Sequence, residues 1–204
     1  MFSVGDKVLF IGDSITESGK FGDPEGIGNG YVSIINMYVK EHYEDVKILN
    51  KGIGGNRVTD LERRWERDVL QENPDWLSIS IGINDVWRQI DSPKAEQIHP
   101  YMFEEIYGRL LIATKRRLTN TKIILMEPTI IKEDINSKGN KLLLPYVEIV
   151  QSLARQHEAI LVPAHRVFLK ELQKEKPQNL TSDGVHMNEA GNKLLADCWI
   201  QAVL

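Results

Sequence analysis

The sequence predicts an α/β fold, a three-layer sandwich in which helices cover both faces of a five-stranded parallel sheet. The first observation is an alternation of short, β-rich apolar runs with longer segments of helical period, which is typical of a parallel sheet. The second is a single apolar stripe along the last helical segment. The third is the composition: 204 residues with 42% hydrophobic and 26% charged residues suit one compact domain.

The apolar runs predict five strands, and the segments between and after them predict five helices. The predicted strands are Lys7–Ile11, Val46–Leu49, Trp76–Ile81, Lys122–Met126 and Ile160–Val162. The predicted helices are Tyr31–His42, Val58–Leu70, Met102–Leu118, Lys141–Gln156 and Glu189–Val203. In the last helix the stripe consists of Ala190, Leu194, Leu195, Cys198 and Ala202. No repeat or linker divides the chain, so residues 1–204 are predicted to form a single domain.

Charge and cysteine content exclude several classes of protein. The net charge is only −4, and basic residues alternate with acidic ones, as in the segment 60–68, which argues against nucleic-acid binding. That segment is predicted to be a surface helix with no partner. The lone Cys198 is predicted to be buried and inert. The first apolar run is too short for a signal-peptide core or a membrane span, which predicts a cytoplasmic protein unless a leader was removed.

Polar residues follow the first three strands, and ligands of such sheets bind beyond the carboxyl ends of the strands. Ser14 follows the first strand and is predicted either to cap a helix or to act as a nucleophile. The turn 50–56 is rich in glycine, so its N–H groups can approach an oxyanion, although it also suits a tight turn; the ending of a phosphate-binding loop is absent. Asn84 after the third strand can donate to an oxyanion or belong to an Asn-Asp turn.

The pair Asp183 and His186 lies just before the last helix. A spacing of three residues in a turn lets the two side chains meet, so the acid can orient the histidine as a base for a serine. A surface histidine beside an acid is the plainer alternative. The other histidines lie in predicted helices or lack an acid at this spacing, so His186 is the preferred base.

Together, Gly12-Asp13-Ser14 with Thr16, the glycine turn ending at Gly55, Gly82-x-Asn84-Asp85 and Asp183-x-x-His186 resemble the four ordered blocks of SGNH (GDSL) hydrolases. The resemblance spans nearly the whole chain and implies the flavodoxin-like fold of that family. It further implies Ser14 as nucleophile, with Asp183 and His186 completing the triad. The oxyanion donors that it implies are the backbone N–H groups of Ser14 and Gly55 and the side chain of Asn84.

Within the family, the stretches 28–32, 50–53 and 74–88 most resemble bacterial acetylxylan esterases and related carbohydrate deacetylases. The resemblance implies a small acylated carbohydrate as substrate. Trp87, three residues after Asn84, is a candidate aromatic platform for the sugar, and core packing stays equally open for it. Asp13 is a second candidate substrate-binding residue. No metal or organic cofactor is expected, and a homo-oligomer stays open. The alternatives are a lipid esterase or thioesterase with the same triad, and a non-catalytic carbohydrate-binding protein on this fold.

Overall fold

Five parallel strands form one sheet in the computed structural model, which describes residues 1–204. The strands are β1 (Lys7–Gly12), β2 (Lys47–Gly52), β3 (Trp76–Ser80), β4 (Lys122–Met126) and β5 (Ile160–Val162). Their order in the sheet is β2-β1-β3-β4-β5. The chain therefore extends the sheet first to one side of β1 and then to the other, which opens a crevice at the carboxyl ends of β1 and β3.

Helices flank the sheet, which confirms the predicted α/β fold. They are α1 (Ser14–Glu17), α2 (Tyr31–His42), α3 (Val58–Trp65), α4 (Ile83–Asp91), α5 (Pro100–Arg117), α6 (Lys138–Gln156), α7 (Ala164–Leu172) and α8 (Glu189–Val203). A π-helical turn, Glu66–Leu70, continues α3. One group of helices, α2, α7 and α8, packs together, and α3, α4, α5 and α6 form a second packed group. No helix combines the length and the apolar character that crossing a membrane requires.

Burial explains why the strands were readable from the sequence. All five residues of β3 are buried, whereas the edge strand β2 alternates buried with more exposed positions. On one face, the Trp199 ring of α8 lies 5.1 Å from the Phe10 ring, and its indole N–H donates to Ser78 Oγ at 3.0 Å. The neighbouring Cys198 is buried, as predicted, and burial raises the pKa of its thiol to about 11.

The structure differs from the sequence prediction in several short helices and in one segment assigned to the surface. Helices α1, α4 and α7 were not predicted, because α1 and α7 are short and the Asn-Asp pair at the start of α4 is also typical of a turn. The mixed-charge segment 60–68 is not wholly a surface helix. Its members Arg64 and Asp68 are only 8% and 6% exposed, because they lie on the same helix face as the buried Leu61 and Trp65.

Candidate active site

The connection from β1 to α1 presents Ser14 at the carboxyl edge of the sheet. Strand β1 ends at Gly12, where a Cβ atom would collide with the carbonyl oxygen of Ser80 and the hydroxyl of Thr16. Only glycine leaves room for this close crossing of backbone and side chain. The chain then turns at once into α1, with Ser14 as its first residue.

Asp13 caps α1 and does not face the cleft. Its carboxylate accepts the backbone N–H of Ile15 at 3.0 Å, and the residue is 2% exposed. Burial raises the pKa of Asp13 to about 6, against the opposing effects of that hydrogen bond and of His186. The expectation that Asp13 contacts the substrate is therefore corrected: the turn from β1 to α1 directs its carboxylate toward the backbone N–H of Ile15, away from the cleft.

His186 lies within hydrogen-bond distance of the serine although 172 residues separate them. Its Nε2 lies 2.9 Å from Ser14 Oγ, and its Nδ1 lies 2.7 Å from Asp183 Oδ2. An ionised carboxylate only accepts, so Nδ1 carries a proton and Nε2 is left to accept the serine hydroxyl proton. The histidine side chain is 51% exposed, which leaves the site open to water.

Asp183 is fixed by the tight turn that joins it to His186. Its Oδ1 accepts the backbone N–H groups of His186 at 2.8 Å and Val185 at 3.0 Å. Partial desolvation acts to raise the pKa of Asp183, but the hydrogen bonds from the His186 ring and from these backbone groups outweigh it and lower the pKa to about 2. The carboxylate is thus ionised whenever His186 needs an acceptor.

Three N–H groups predicted as oxyanion donors are available around Ser14. The backbone N–H groups of Ser14 and Gly55 donate to no protein acceptor. Gly55 has a φ of 77°, a left-handed conformation that favours glycine. The Asn84 side chain donates one N–H to the carbonyl of Asn56 at 3.1 Å, and its second N–H remains for a ligand. Gly54, whose N–H also lacks a protein acceptor, lines the same cavity.

The buried guanidinium of Arg64 connects the loops that carry these groups. It donates to Asn56 Oδ1 at 2.8 Å, to the carbonyl of Lys51 at 2.7 Å and to the carbonyl of Gly12 at 3.0 Å. Its charge is balanced by Asp68 at 2.9 Å. Arg64 thus holds the end of β1, the end of β2 and the residue that orients Asn84. Sequence reasoning missed it, although its spacing from Leu61 was a usable signal.

A second connection, after β4, supports the turn that carries His186. The Glu133 carboxylate accepts the N–H groups of Leu180 and Thr181 and the Thr181 hydroxyl, all within 2.9 Å. The Lys132 N–H donates to the carbonyl of Gly184 at 2.6 Å. These contacts pair residues about 50 positions apart, which local sequence patterns do not reveal.

The triad opens into a cavity of about 420 Å³. Ser14, His186 and Asp183 lie on its walls with Gly55 and Asn84, so the structure brings the predicted triad and oxyanion residues together. Trp87 and Arg88 of α4 complete one side. The Trp87 ring also packs against the core, so the cavity-facing and packing roles expected of it coexist. Arg88, which pairs with Asp91 at 2.7 Å, was not predicted.

Fold and site define an ester hydrolase of the serine type, and comparison with known proteins gives the family. The sequence profile of the GDSL-like Lipase/Acylhydrolase family matches residues 10–194, and the chain belongs to that family. It is 36% identical over 209 residues to an acetylxylan esterase of Geobacillus stearothermophilus, covering 98% of this chain and 94% of that one.

Solved structures agree with this assignment. A catalytic mutant of Axe2, an acetylxylan esterase from Geobacillus stearothermophilus, superimposes with a TM-score of 0.90 at 34% identity, over 98% of this chain and 95% of that one. LAE5, an alpha/beta hydrolase enzyme from the metagenome of Lake Arreo in Spain, gives a TM-score of 0.89 at 31% identity, over 98% and 96% of the two chains. The chain is a carboxylic ester hydrolase, which sets aside the non-catalytic alternative.

Proposed function

We propose that this enzyme removes acetyl groups from carbohydrate, with acetylated xylo-oligosaccharides as its substrates. The observation that carries the chemistry is the continuous hydrogen-bonded chain from Ser14 Oγ through His186 to Asp183. The substrate class is inferred from the acetylxylan esterases that the chain resembles over nearly its full length.

The first half-reaction forms an acyl-enzyme. Ser14 Oγ bonds to the acyl carbon while its proton passes to His186 Nε2. The carbonyl oxygen becomes an anion, which accepts hydrogen bonds from the N–H groups of Ser14 and Gly55 and from the Asn84 amide. When the tetrahedral intermediate collapses, His186 returns the proton to the sugar oxygen, and the carbon–oxygen bond to the sugar breaks.

The second half-reaction hydrolyses the acyl-enzyme with water. A water molecule reaches the acyl carbon through the exposed side of His186, which removes its proton. The collapse of the second intermediate releases acetate and restores the Ser14 hydroxyl. Asp183 stays ionised throughout, holding the Nδ1 proton and stabilising the imidazolium. The mechanism uses no metal or organic cofactor.

The composition of the cavity favours a short acyl chain over a lipid. Its larger apolar side chains are Trp87 and Val185, and the remaining wall is formed by polar or charged side chains and glycine backbone. A long alkyl chain gains stability in proportion to the apolar surface that it buries, about 25 cal/mol per Å². Only two apolar side chains line this cavity, so it lacks the continuous apolar groove that a long acyl chain needs, which argues against the lipid esterase and thioesterase alternatives.

Two measurements test this proposal. A fluorophosphonate probe should label the wild-type protein but not the Ser14→Ala variant. Specificity constants should then be measured on 4-nitrophenyl esters from acetyl to octanoyl and on acetylated xylo-oligosaccharides. Release of acetate from the sugars supports the proposal, and a wild type that leaves acetylated sugars intact while it cleaves octanoyl esters overturns it. The cytoplasmic location and a homo-oligomer stay predictions, tested by cell fractionation and light scattering.

A further inference from the structure

A second cavity, of about 250 Å³, adjoins the active-site cavity across Trp87. Trp87 lines both cavities, so one indole forms a shared wall. On the far side Ile90, one helical turn further along α4, continues this wall. The opposite wall is formed by the connection from β4 to α6 and the first two residues of α6, and this connection also supports the turn of His186. The two cavities therefore lie along one edge of the sheet.

The chemistry of this second cavity suits a sugar ring. Trp87 and Ile90, both partly exposed, present apolar surface, which matches the C–H faces of a pyranose. Lys132 and Lys138 line it as well, and neither side chain forms an ion pair or a hydrogen bond within the protein. Their ammonium groups are free to donate to hydroxyl oxygens.

The acidic side chain of this wall is only partly engaged. Asp134 uses one carboxylate oxygen to accept the N–H of Asn136 at 2.9 Å, and its other oxygen has no protein partner. It can accept from a hydroxyl group. Ser137, in contrast, is fully occupied, because its hydroxyl donates to the carbonyl of Ile131 and accepts from the N–H of Asn140. The groups free to bind a ligand are therefore the two lysines and Asp134.

The wall is built in advance rather than formed on binding. The side chain of Asn140, 3% exposed, accepts the N–H of Ile131 at 2.7 Å and donates to the carbonyls of Lys132 and Asp134 at 3.0 and 2.8 Å. Lys132 is held at a φ of 67°, a left-handed conformation uncommon for lysine. A wall fixed in this way loses little entropy when a ligand binds.

We propose that this second cavity, with Trp87 as the shared platform, is a binding subsite for the sugar residue next to the acylated one. This inference rests on the proposed function. The acylated residue occupies the active-site cavity, and its neighbour contacts Trp87 from the other side and the free groups of Lys132, Lys138 and Asp134. The preferred substrate is then an acylated oligosaccharide rather than an acylated monosaccharide.

Kinetics on substrates of increasing length test the subsite. For the wild type we expect kcat/KM for acetate release to rise about tenfold or more from acetylated xylose to acetylated xylotriose. In Lys132→Ala combined with Lys138→Ala, this gain should fall several-fold, mainly through KM. Because the gain is a ratio between two substrates of the same variant, a change in its hydrolysis of 4-nitrophenyl acetate does not affect it. The substitution at position 132 leaves its backbone N–H in place, so the hydrogen bond to the carbonyl of Gly184 is retained. The matched control is Lys141→Ala, an exposed and unpaired lysine of α6 outside this wall, which should keep the full gain.

A binding experiment separates failure of the subsite from failure of the proposed function. Calorimetry with unacylated xylotriose and xylose on the Ser14→Ala protein requires no catalysis. Tighter binding of xylotriose, weakened in the double lysine variant but not in the Lys141→Ala background, supports the subsite whatever ester is cleaved. Equal affinity for xylose and xylotriose, or an undiminished preference in the double variant, overturns it. If the wild type removes no acetyl groups but the Ser14→Ala protein still binds xylotriose more tightly than xylose, only the proposed reaction is contradicted.

Discussion

Replacing Arg64 by methionine tests whether the buried guanidinium positions the oxyanion donors. Methionine has a similar length and tolerates an apolar environment, so it removes the charge and the hydrogen bonds without opening a large cavity. The carbonyl of Lys51 and the Asn56 amide each lose a charged donor. The carbonyl of Gly12 keeps one partner, because Ile53 N–H also donates to it at 3.1 Å.

The contacts of Arg64 set the expected loss of stability. Breaking a buried ion pair costs about 3–5 kcal/mol when the remaining charge is left alone. Asp68 is not left alone here, since Arg67 still donates to both of its oxygens at 2.6 and 2.9 Å. We therefore expect the free energy of unfolding to fall by about 2–4 kcal/mol, which includes the hydrogen bonds lost by the backbone carbonyl and Asn56.

The loss of activity follows from the link between Asn56 and Asn84. Removing an oxyanion donor outright costs about 2.7–4 kcal/mol of transition-state stabilisation. Arg64 acts through Asn56, so its loss misaligns the Asn84 donor without deleting it. About half that effect corresponds to a fall in kcat of roughly ten- to thirtyfold. KM should change little, because the ground-state ester gains less from this donor.

Steady-state kinetics on 4-nitrophenyl acetate and urea unfolding measure both effects. Arg67→Met is the matched control: it removes contacts to the same Asp68, but its side chain is 68% exposed and does not reach Asn56. It should cost less than about 1 kcal/mol of stability and leave kcat unchanged. Arg64→Lys should recover part of the stability and little of kcat, since lysine lacks the planar fork. A folded Arg64→Met enzyme with wild-type kcat would refute the positioning role.

Four other expectations concern the triad, the acyl chain and a buried acid. Ser14→Ala and His186→Ala should each lower kcat by orders of magnitude, and the double variant should lose little more, because the residues act as one unit; additive losses would contradict this. Acetyl esters should be cleaved with a higher kcat/KM than octanoyl esters, whereas the opposite order would point to a lipid substrate. Asp183, with its pKa of about 2, should stay ionised throughout the pH range in which the enzyme is folded. Asp183→Asn should lower kcat strongly by favouring the wrong histidine tautomer, and a variant with wild-type kcat would exclude this role. Burial raises the pKa of Asp85 to about 7, so between about pH 4 and 7 the folded state holds a proton that the unfolded state lacks, and stability falls as pH rises. The difference in the free energy of unfolding between Asp85→Asn and wild type, measured in urea, should therefore grow by several kcal/mol in favour of the variant as the pH rises from about 4.5 to about 7.5. A difference that stays constant over this range would show that Asp85 titrates normally.

The strands and the triad could be predicted because their signals are local. Buried parallel strands are short apolar runs, and a serine after the first strand or an acid three residues before a histidine is visible without coordinates. Because ligands of such sheets bind beyond the carboxyl ends of the strands, these segments were expected at one edge of the sheet. The observed strand order agrees with the parallel sheet that this expectation assumed.

The supporting groups were missed because their partners are distant in sequence. Arg64 looks like any charged residue of a surface helix until its guanidinium is found against the carbonyls of Gly12 and Lys51. Glu133 belongs to no recognisable sequence motif, and the backbone N–H that it accepts lies 47 residues away, at Leu180. The start of α4 at Ile83 was hidden because Asn84 and Asp85 favour turns, and only packing of α4 against α6 decides in favour of the helix.

Strand pairing at the active-site edge also makes activity a sensitive reporter of correct assembly. Gly12 of β1 pairs with Gly52 of β2 and with Ser80 of β3, so three connections leave the sheet at the same level. A slip of one residue would shift a strand by about 3.3 Å, comparable to the whole length of a hydrogen bond, and would turn its side chains to the opposite face. Ser14 would then lie beyond the reach of His186 while the helix and strand content stayed the same. Turnover after refolding therefore counts only the molecules whose strands found their proper partners, which a circular dichroism spectrum alone cannot distinguish.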